Sequence, residues 1–239
     1  MKKKKTVLAI VLTICIALFG GGYLYFNDCY HADTKAKAAL VSDDSVQVKD
    51  SDAYIAFEPA SYDTGIILYP GAKVESEAYA PLCRKYAENG VLAVVVKMPL
   101  HFALFNQNAA DSVLDDYKCE HWYMAGHSLG GVCAGNYVAE HVKQFDGLIM
   151  LASYTTEDLS ETSLKYISLY GSEDKVLNHE SYDKNVKNVP EETSCEFVIQ
   201  GGNHAQFGSY GEQKGDGTAV ITAADQQEQT VQETMQIMD

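Results

Sequence analysis

From residue 53 onward, short apolar runs alternate along the chain with longer segments of mixed polarity. Seven runs of four to six residues are almost continuously apolar and predict strands: Tyr54–Phe57, Gly65–Tyr69, Val91–Val96, Trp122–Ala125, Leu148–Leu151, Tyr166–Tyr170 and Cys195–Ile199. Runs of this length and composition are typical of strands that are covered on both faces of a sheet.

The segments between these runs carry helical signals. Apolar positions at helical spacing predict helices over residues 75–88, 128–141 and 226–238, and Asn89-Gly90 is a typical stop for the first of them. Alternating strands and helices predict an α/β domain over residues 53–239, with a mostly parallel central sheet and helices on both faces.

The first 52 residues follow a different pattern. Residues 1–5 form a basic end, and residues 6–26 carry no charge and would span about 30 Å as a helix. We expect an N-terminal hydrophobic helix that anchors the chain in the cell membrane, with the N-terminus cytoplasmic and the folded domain outside. A cleaved signal peptide is the alternative, which would make the domain secreted. Residues 27–52 are polar and are predicted to form a tether with one short helix near residues 34–40.

Charge and cysteine content narrow the classes of function. The formal net charge is -15 and the pI about 4.8, so the domain repels phosphate backbones and nucleic acid is not an expected partner. The six cysteines form no C-x-x-C pair or recognised Cys/His zinc pattern, and we expect no metal and no cofactor. Most of the thiols are expected to be free and in apolar surroundings, and a domain outside the cytoplasm could hold one disulfide.

The most informative motif joins the fourth apolar run to the following helix. It has the form Gly126-x-Ser128-x-Gly130. A serine on a tight strand-to-helix turn projects its hydroxyl at the edge of a sheet, and the glycines on either side leave room for that turn. The pattern predicts that Ser128 is a nucleophile, whereas the alternative is a glycine-rich turn whose serine caps a helix.

A serine hydroxyl needs a base, and the base needs a carboxylate. His204 follows the last apolar run in Gly201-Gly202-Asn203-His204, at the end of a strand where catalytic groups gather in α/β sheets. Asp174 follows the preceding run, so the order serine, aspartate, histidine is that of a hydrolase triad. Glu173 and Asp158 are the competing carboxylates.

Acyl transfer also needs N–H donors for the oxyanion. The backbone N–H of Leu129, after the nucleophile, is the first candidate. The second is expected in the loop after an early strand, where Tyr69-Pro70-Gly71-Ala72-Lys73 lies, and we assign it to the N–H of Ala72. The alternative for Pro70-Gly71 is an ordinary turn.

Together these segments resemble the small α/β-hydrolases grouped near the dienelactone hydrolases, over roughly residues 53–238. Four stretches carry the resemblance: Tyr69–Leu82, Gly126–Gly131, Tyr170–Asp174 and Gly201–Gly208. The resemblance implies an α/β-hydrolase fold, a triad of Ser128, Asp174 and His204, and hydrolysis of an ester-like bond. The chain departs from dienelactone hydrolases in having a serine nucleophile, which argues against a dienelactone substrate.

These observations predict a carboxylesterase-like enzyme. Little chain separates the Leu148 and Tyr166 runs, where many lipases insert a lid, so an open site for small or soluble esters is expected. Peptidase, thioesterase or deacetylase activity on envelope material is the alternative among enzymes, because a fold does not fix its substrate. A catalytically silent, membrane-tethered binding protein is the alternative of another class.

Overall fold

The computed structural model describes Thr13, residues 20–22 and residues 28–238. The basic end over residues 1–5 and nearly all of the anchor predicted over residues 6–26 therefore lie outside the described residues. Within the part of the chain that is described, no helix has the length and apolar character needed to cross a membrane.

A single eight-stranded sheet forms the centre of the described chain. Its strands are β1 (Val46–Asp50), β2 (Tyr54–Pro59), β3 (Thr64–Tyr69), β4 (Leu92–Val96), β5 (His121–His127), β6 (Gly147–Leu151), β7 (Lys165–Gly171) and β8 (Ser194–Ile199). Their spatial order is β1-β2-β4-β3-β5-β6-β7-β8. Strand β2 is antiparallel to both β1 and β4, and all later pairs are parallel. All seven predicted strands are confirmed, as is the mostly parallel sheet.

Helices cover both faces of the sheet, as predicted. They are α1 (Thr34–Ala39), α2 (Ala80–Glu88), α3 (Ala110–Asp116), α4 (Leu129–Glu140), α5 (His179–Asn185) and α6 (Ala223–Met238). Helix α2 is preceded by a 3₁₀ turn over Ser76–Tyr79, so the helix predicted from residue 75 begins with tighter winding.

Alternate residues of the central strands point into two separate apolar cores. Ile66 and Leu68 of β3 pack into the core that includes residues of α1, α2 and α6. Ile67 and Tyr69 point the opposite way, into the core that includes residues of α3 and α4. Burial on both faces is the reason why these strands are continuous apolar runs in the sequence.

The segment predicted as a tether is more structured than expected. Helix α1 lies where a short helix was predicted, and the Asp33 side chain caps it by accepting a hydrogen bond from the Ala36 N–H. Strand β1 then adds to the edge of the sheet. Four of the five β1 residues are at least partly exposed, so the strand has no apolar run to reveal it. The folded domain therefore begins well before residue 53.

Candidate active site

The turn between β5 and α4 holds Ser128 in a backbone conformation that non-glycine residues rarely adopt. Its φ is 53° and its ψ is -126°. The backbone N–H of Ser128 donates to the Leu151 carbonyl at 3.0 Å, and the Ser153 hydroxyl donates to the Ser128 carbonyl at 2.7 Å. These contacts hold a strained residue at the carboxyl end of the parallel strands, where functional residues of open α/β sheets collect.

The glycines around Ser128 are required by close backbone approach. A Cβ on Gly126 would lie 2.4 Å from the Gly131 Cα, and a Cβ on Gly130 would lie 2.3 Å from the Pro70 carbonyl oxygen. Neither distance is compatible with a side chain. The second contact also shows that the loop after β3 lies directly against the start of α4.

The structure brings His204 and Asp174 together in the interior. Their side chains are buried, and His204 Nδ1 donates to Asp174 Oδ2 at 2.8 Å. The other carboxylate oxygen accepts from the N–H groups of Val176 and Leu177, each at 2.8 Å. Burial raises the pKa of Asp174, but the hydrogen bond from His204 and the two backbone N–H groups outweigh it and keep the pKa below its ordinary value. Asp174 is therefore an ionised carboxylate that fixes the orientation of the imidazole.

Ser128 and His204 line the same pocket. The pocket encloses about 470 Å³ including its mouth, and its other walls are mainly apolar or small: Leu129, Val132, Ala152, Ser153, Tyr154, Val176, Leu177 and Asn178. The Nε2 atom of His204 is buried and has no hydrogen-bond partner among the described residues. With Nδ1 occupied by Asp174, Nε2 is the nitrogen left to accept a proton at this pocket.

The competing carboxylates lie elsewhere. Glu173 accepts from the Ser172 hydroxyl at 3.1 Å, and Asp158 accepts from the Ser160 hydroxyl at 2.6 Å. Of the three carboxylates considered from the sequence, Asp174 is the one placed against His204.

The backbone N–H groups of the loop after β3 differ in whether they have an acceptor among the described residues. Gly71 donates to the Tyr79 hydroxyl at 2.9 Å, and Lys73 donates to the His101 carbonyl at 2.8 Å. The N–H of Ala72, between them, has no acceptor among the described residues. Leu129 lines the pocket of Ser128 and Ala72 does not, so the assignment of these two amides as oxyanion donors stays a prediction.

A buried hydrogen-bond chain behind the site was missed from the sequence. His127 Nε2 lies 3.1 Å from the His204 carbonyl oxygen, which can only accept, so this nitrogen carries the proton. Burial lowers the pKa of His127 well below its ordinary value, and the neighbouring His204 lowers it further, so the ring is neutral. Nδ1 must then accept from the Tyr79 hydroxyl, 2.7 Å away, while that hydroxyl accepts from Gly71. These hydrogen bonds therefore link Gly71, in the loop after β3, to the backbone of His204.

The pocket of Ser128 contains no cluster of metal ligands among the described residues. Among the described residues, one cluster of Cys, His and acidic side chains was found. It lies where the N-terminal segment meets the loop after β3 and consists of Cys29, His31 and Glu75.

Comparison with known proteins agrees with this architecture. The model of the alpha/beta hydrolase family matches residues 65–228, which is more than half of the chain. No curated protein sequence matches the chain.

Solved structures share the fold at low sequence identity. A predicted CIB-like hydrolase from Thermoplasma acidophilum is 16% identical, with a TM-score of 0.57 over 81% of this chain and 98% of that one. Est1E from Butyrivibrio proteoclasticus is 15% identical, with a TM-score of 0.57 over 81% and 99%. MGS-MChE2, an alpha/beta hydrolase enzyme from a sediment metagenome of the Mar Chica lagoon in Morocco, is 13% identical, with a TM-score of 0.60 over 80% and 98%.

The family match covers the turn at Ser128, the buried His204–Asp174 pair and the loop after β3, so the sequence match and the fold lead to the same family. This chain belongs to the alpha/beta hydrolase family and is an enzyme of that family.

Proposed function

We propose that the chain is a serine hydrolase that cleaves an ester-like bond of a small or soluble substrate through an acyl-enzyme. The observation that carries the proposal is the state of His204. Asp174 holds its Nδ1 at 2.8 Å, and its Nε2 is unpartnered in the wall of the pocket that Ser128 lines. An oriented imidazole with one free nitrogen beside a serine is the arrangement that general-base catalysis needs.

Each group then has one task. Ser128 attacks the substrate carbonyl while His204 Nε2 takes the hydroxyl proton, and Asp174 stabilises the imidazolium that forms. The N–H groups of Leu129 and Ala72 donate to the oxyanion of the tetrahedral intermediate. His204 returns the proton to the leaving alcohol, and water, deprotonated by His204, releases the acyl group from Ser128.

The shape of the pocket supports small substrates. No helix occupies residues 152–164 between β6 and β7, so no lid is inserted there. Apolar contact in the pocket of Ser128 comes from three side chains, Val132, Val176 and Leu177. One of the structurally similar proteins, Est1E, is known with ferulic acid bound, so a small carboxylic acid is a ligand of that protein.

Fluorophosphonate labelling of the full chain tests the proposal. We expect a covalent adduct on Ser128, located by peptide mass spectrometry, and turnover of p-nitrophenyl acetate that is lost in Ser128→Ala. Ser160→Ala is the matched control, because Ser160 does not line this pocket and its hydroxyl donates to Asp158 at 2.6 Å; this variant should still be labelled on Ser128. An adduct on another residue, or equal turnover in Ser128→Ala, would contradict the proposal. A panel of esters, thioesters and peptides then ranks the substrate classes.

A further inference from the structure

Three side chains with different metal-binding atoms meet where the N-terminal segment crosses the loop between β3 and α2. Cys29 Sγ lies 3.9 Å from His31 Nδ1, and His31 Nδ1 lies 2.7 Å from Glu75 Oε1. All three ligand atoms lie within 4.8 Å of one another. None of these residues lines the pocket of Ser128.

The backbone sets this arrangement. Tyr30 forms a parallel bridge to Val74: its N–H donates to the Lys73 carbonyl at 2.6 Å, and its carbonyl accepts from the Glu75 N–H at 3.1 Å. Residues two apart in an extended segment point to the same side. Cys29 and His31 therefore project together, towards Glu75, because the residue between them is paired with the loop.

The distances suit a small divalent ion. Zinc binds cysteine sulfur at about 2.3 Å and histidine nitrogen or carboxylate oxygen at about 2.0–2.2 Å, so tetrahedral ligand atoms lie roughly 3.3–3.6 Å apart. The observed 3.9 Å and 2.7 Å fall on either side of this range. The His31 side chain is 68% exposed, so a small rotation can even out the two distances without disturbing the core.

The surroundings of the carboxylate favour binding as well. The second oxygen of Glu75 accepts from the Ala32 N–H at 2.8 Å, which orients the carboxylate towards His31. The exposure of His31 leaves a fourth position open to water.

We propose that Cys29, His31 and Glu75 form a three-ligand site for zinc or a similar borderline divalent transition-metal ion. A thiolate, an imidazole and a carboxylate are a ligand set that zinc accepts, whereas calcium and magnesium select oxygen ligands. Such a site was not expected from the sequence. Two ligands separated by one residue and a third 44 residues further on match no recognised zinc-binding spacing.

The bound ion would join the N-terminal segment to the loop that carries Ala72. Binding requires the Cys29 thiol to lose its proton, so affinity falls as the pH is lowered. The site does not depend on the proposed ester hydrolysis, since it shares no residue with the triad.

Cobalt titration of the full chain, after removal of metal with a chelator, tests the site. Cobalt bound to a thiolate gives a charge-transfer band in the near ultraviolet, and we expect saturation at one ion per chain and displacement by zinc. Cys29→Ser should abolish the band. His31→Ala and Glu75→Gln should each weaken binding at least about tenfold, because even loss of a hydrogen-bond partner of a ligand costs about 10- to 100-fold in metal affinity.

Two variants serve as matched controls. Cys195→Ser removes another partly exposed thiol, and His121→Ala removes an exposed histidine that lies 3.2 Å from the Asp146 carboxylate and is not part of the cluster. Both should retain the cobalt band. Absence of the band in wild type, or its persistence in Cys29→Ser with wild-type circular dichroism, would overturn the site. Ser128→Ala should bind cobalt normally, so failure of the metal site and failure of ester hydrolysis are distinguishable.

Discussion

The hydroxyl of Tyr79 lies 2.7 Å from Nδ1 of His127, and both side chains are buried. Tyr79 ends the 3₁₀ turn before α2, whereas His127 ends β5 immediately before Ser128. Because the Tyr79 hydroxyl also accepts from the Gly71 N–H, this hydrogen bond links the loop after β3 to the strand that precedes Ser128. The same imidazole donates to the His204 carbonyl, so the link extends to the residue that we propose as the base.

Tyr79→Phe should reduce turnover more than it alters substrate affinity. The change leaves the Gly71 N–H and His127 Nδ1 without their buried partner, which costs about 1–3 kcal/mol per unsatisfied group. We expect the loop after β3 to shift when these hydrogen bonds are lost. A shift of about 1 Å would lower kcat up to about 100-fold and change KM little. Steady-state kinetics on p-nitrophenyl acetate and urea denaturation measure the two effects.

Tyr86→Phe provides the control for Tyr79→Phe. Tyr86 is equally buried, and its hydroxyl hydrogen-bonds Thr234 at 2.8 Å, away from the pocket. This variant should lose stability but keep its kcat. If both variants lose kcat to the same extent, the network around Tyr79 has no special link to the site.

His127→Gln should flatten the pH dependence of stability. The unfolded chain binds a proton on His127 near the ordinary pKa of about 6.5, whereas burial lowers the pKa in the folded chain. Below about pH 6.5 the unfolded state therefore binds more protons than the folded state. As the pH falls through this range, His127 lowers the free energy of unfolding by about 1.4 kcal/mol per pH unit, until its pKa in the folded chain is reached. Urea denaturation across this pH range measures the slope, and equal slopes in both proteins would refute the neutral, buried state of His127.

Asp174→Asn should nearly abolish activity, and Glu173→Gln should not. The amide cannot stabilise an imidazolium at His204, and loss of the corresponding aspartate from a serine triad lowers kcat by about 10⁴-fold. Glu173 is the adjacent carboxylate, but its partner is the Ser172 hydroxyl. Turnover of p-nitrophenyl acetate distinguishes the two residues. Comparable losses in both variants would remove the basis for assigning Asp174.

Ser128→Gly should be more stable than Ser128→Ala, although both should be inactive. The backbone at position 128 has a φ of 53° and a ψ of -126°, which glycine adopts without the steric cost that a Cβ brings. Such strain costs about 1–3 kcal/mol per residue. Thermal or urea denaturation of the two variants gives the difference directly. Equal stabilities would show that the turn is not strained.

Much of the fold is predictable because burial leaves a strong pattern. The central strands are apolar on both faces, so each one stands out as a run. Strand β1 is not predictable in this way, because it lies at the edge and only Val46 is buried. The short helices α3 and α5 were missed as well, since seven residues give too few turns to establish a period.

Some residues of the candidate site can be found from the sequence, and others cannot. Ser128, Asp174 and His204 could be singled out from the sequence because each follows a strand within a short, recognisable motif. Tyr79 is indistinguishable from a core tyrosine in the sequence, since its partner at position 127 is 48 residues away. The cluster at Glu75 was missed for a similar reason: one bridge between Tyr30 and Val74 creates it.

The N-terminal segment is hydrogen-bonded to two loops that lie next to residues of the proposed site. Tyr30 donates to the Lys73 carbonyl, next to Ala72, while the Asp33 N–H donates to the Ser209 carbonyl at 2.9 Å, in the loop that follows His204. Tension applied to the chain ahead of residue 28 would therefore be transmitted to these loops before it reached the sheet. We therefore expect that the way in which the N-terminal segment is held affects the positions of Ala72 and His204.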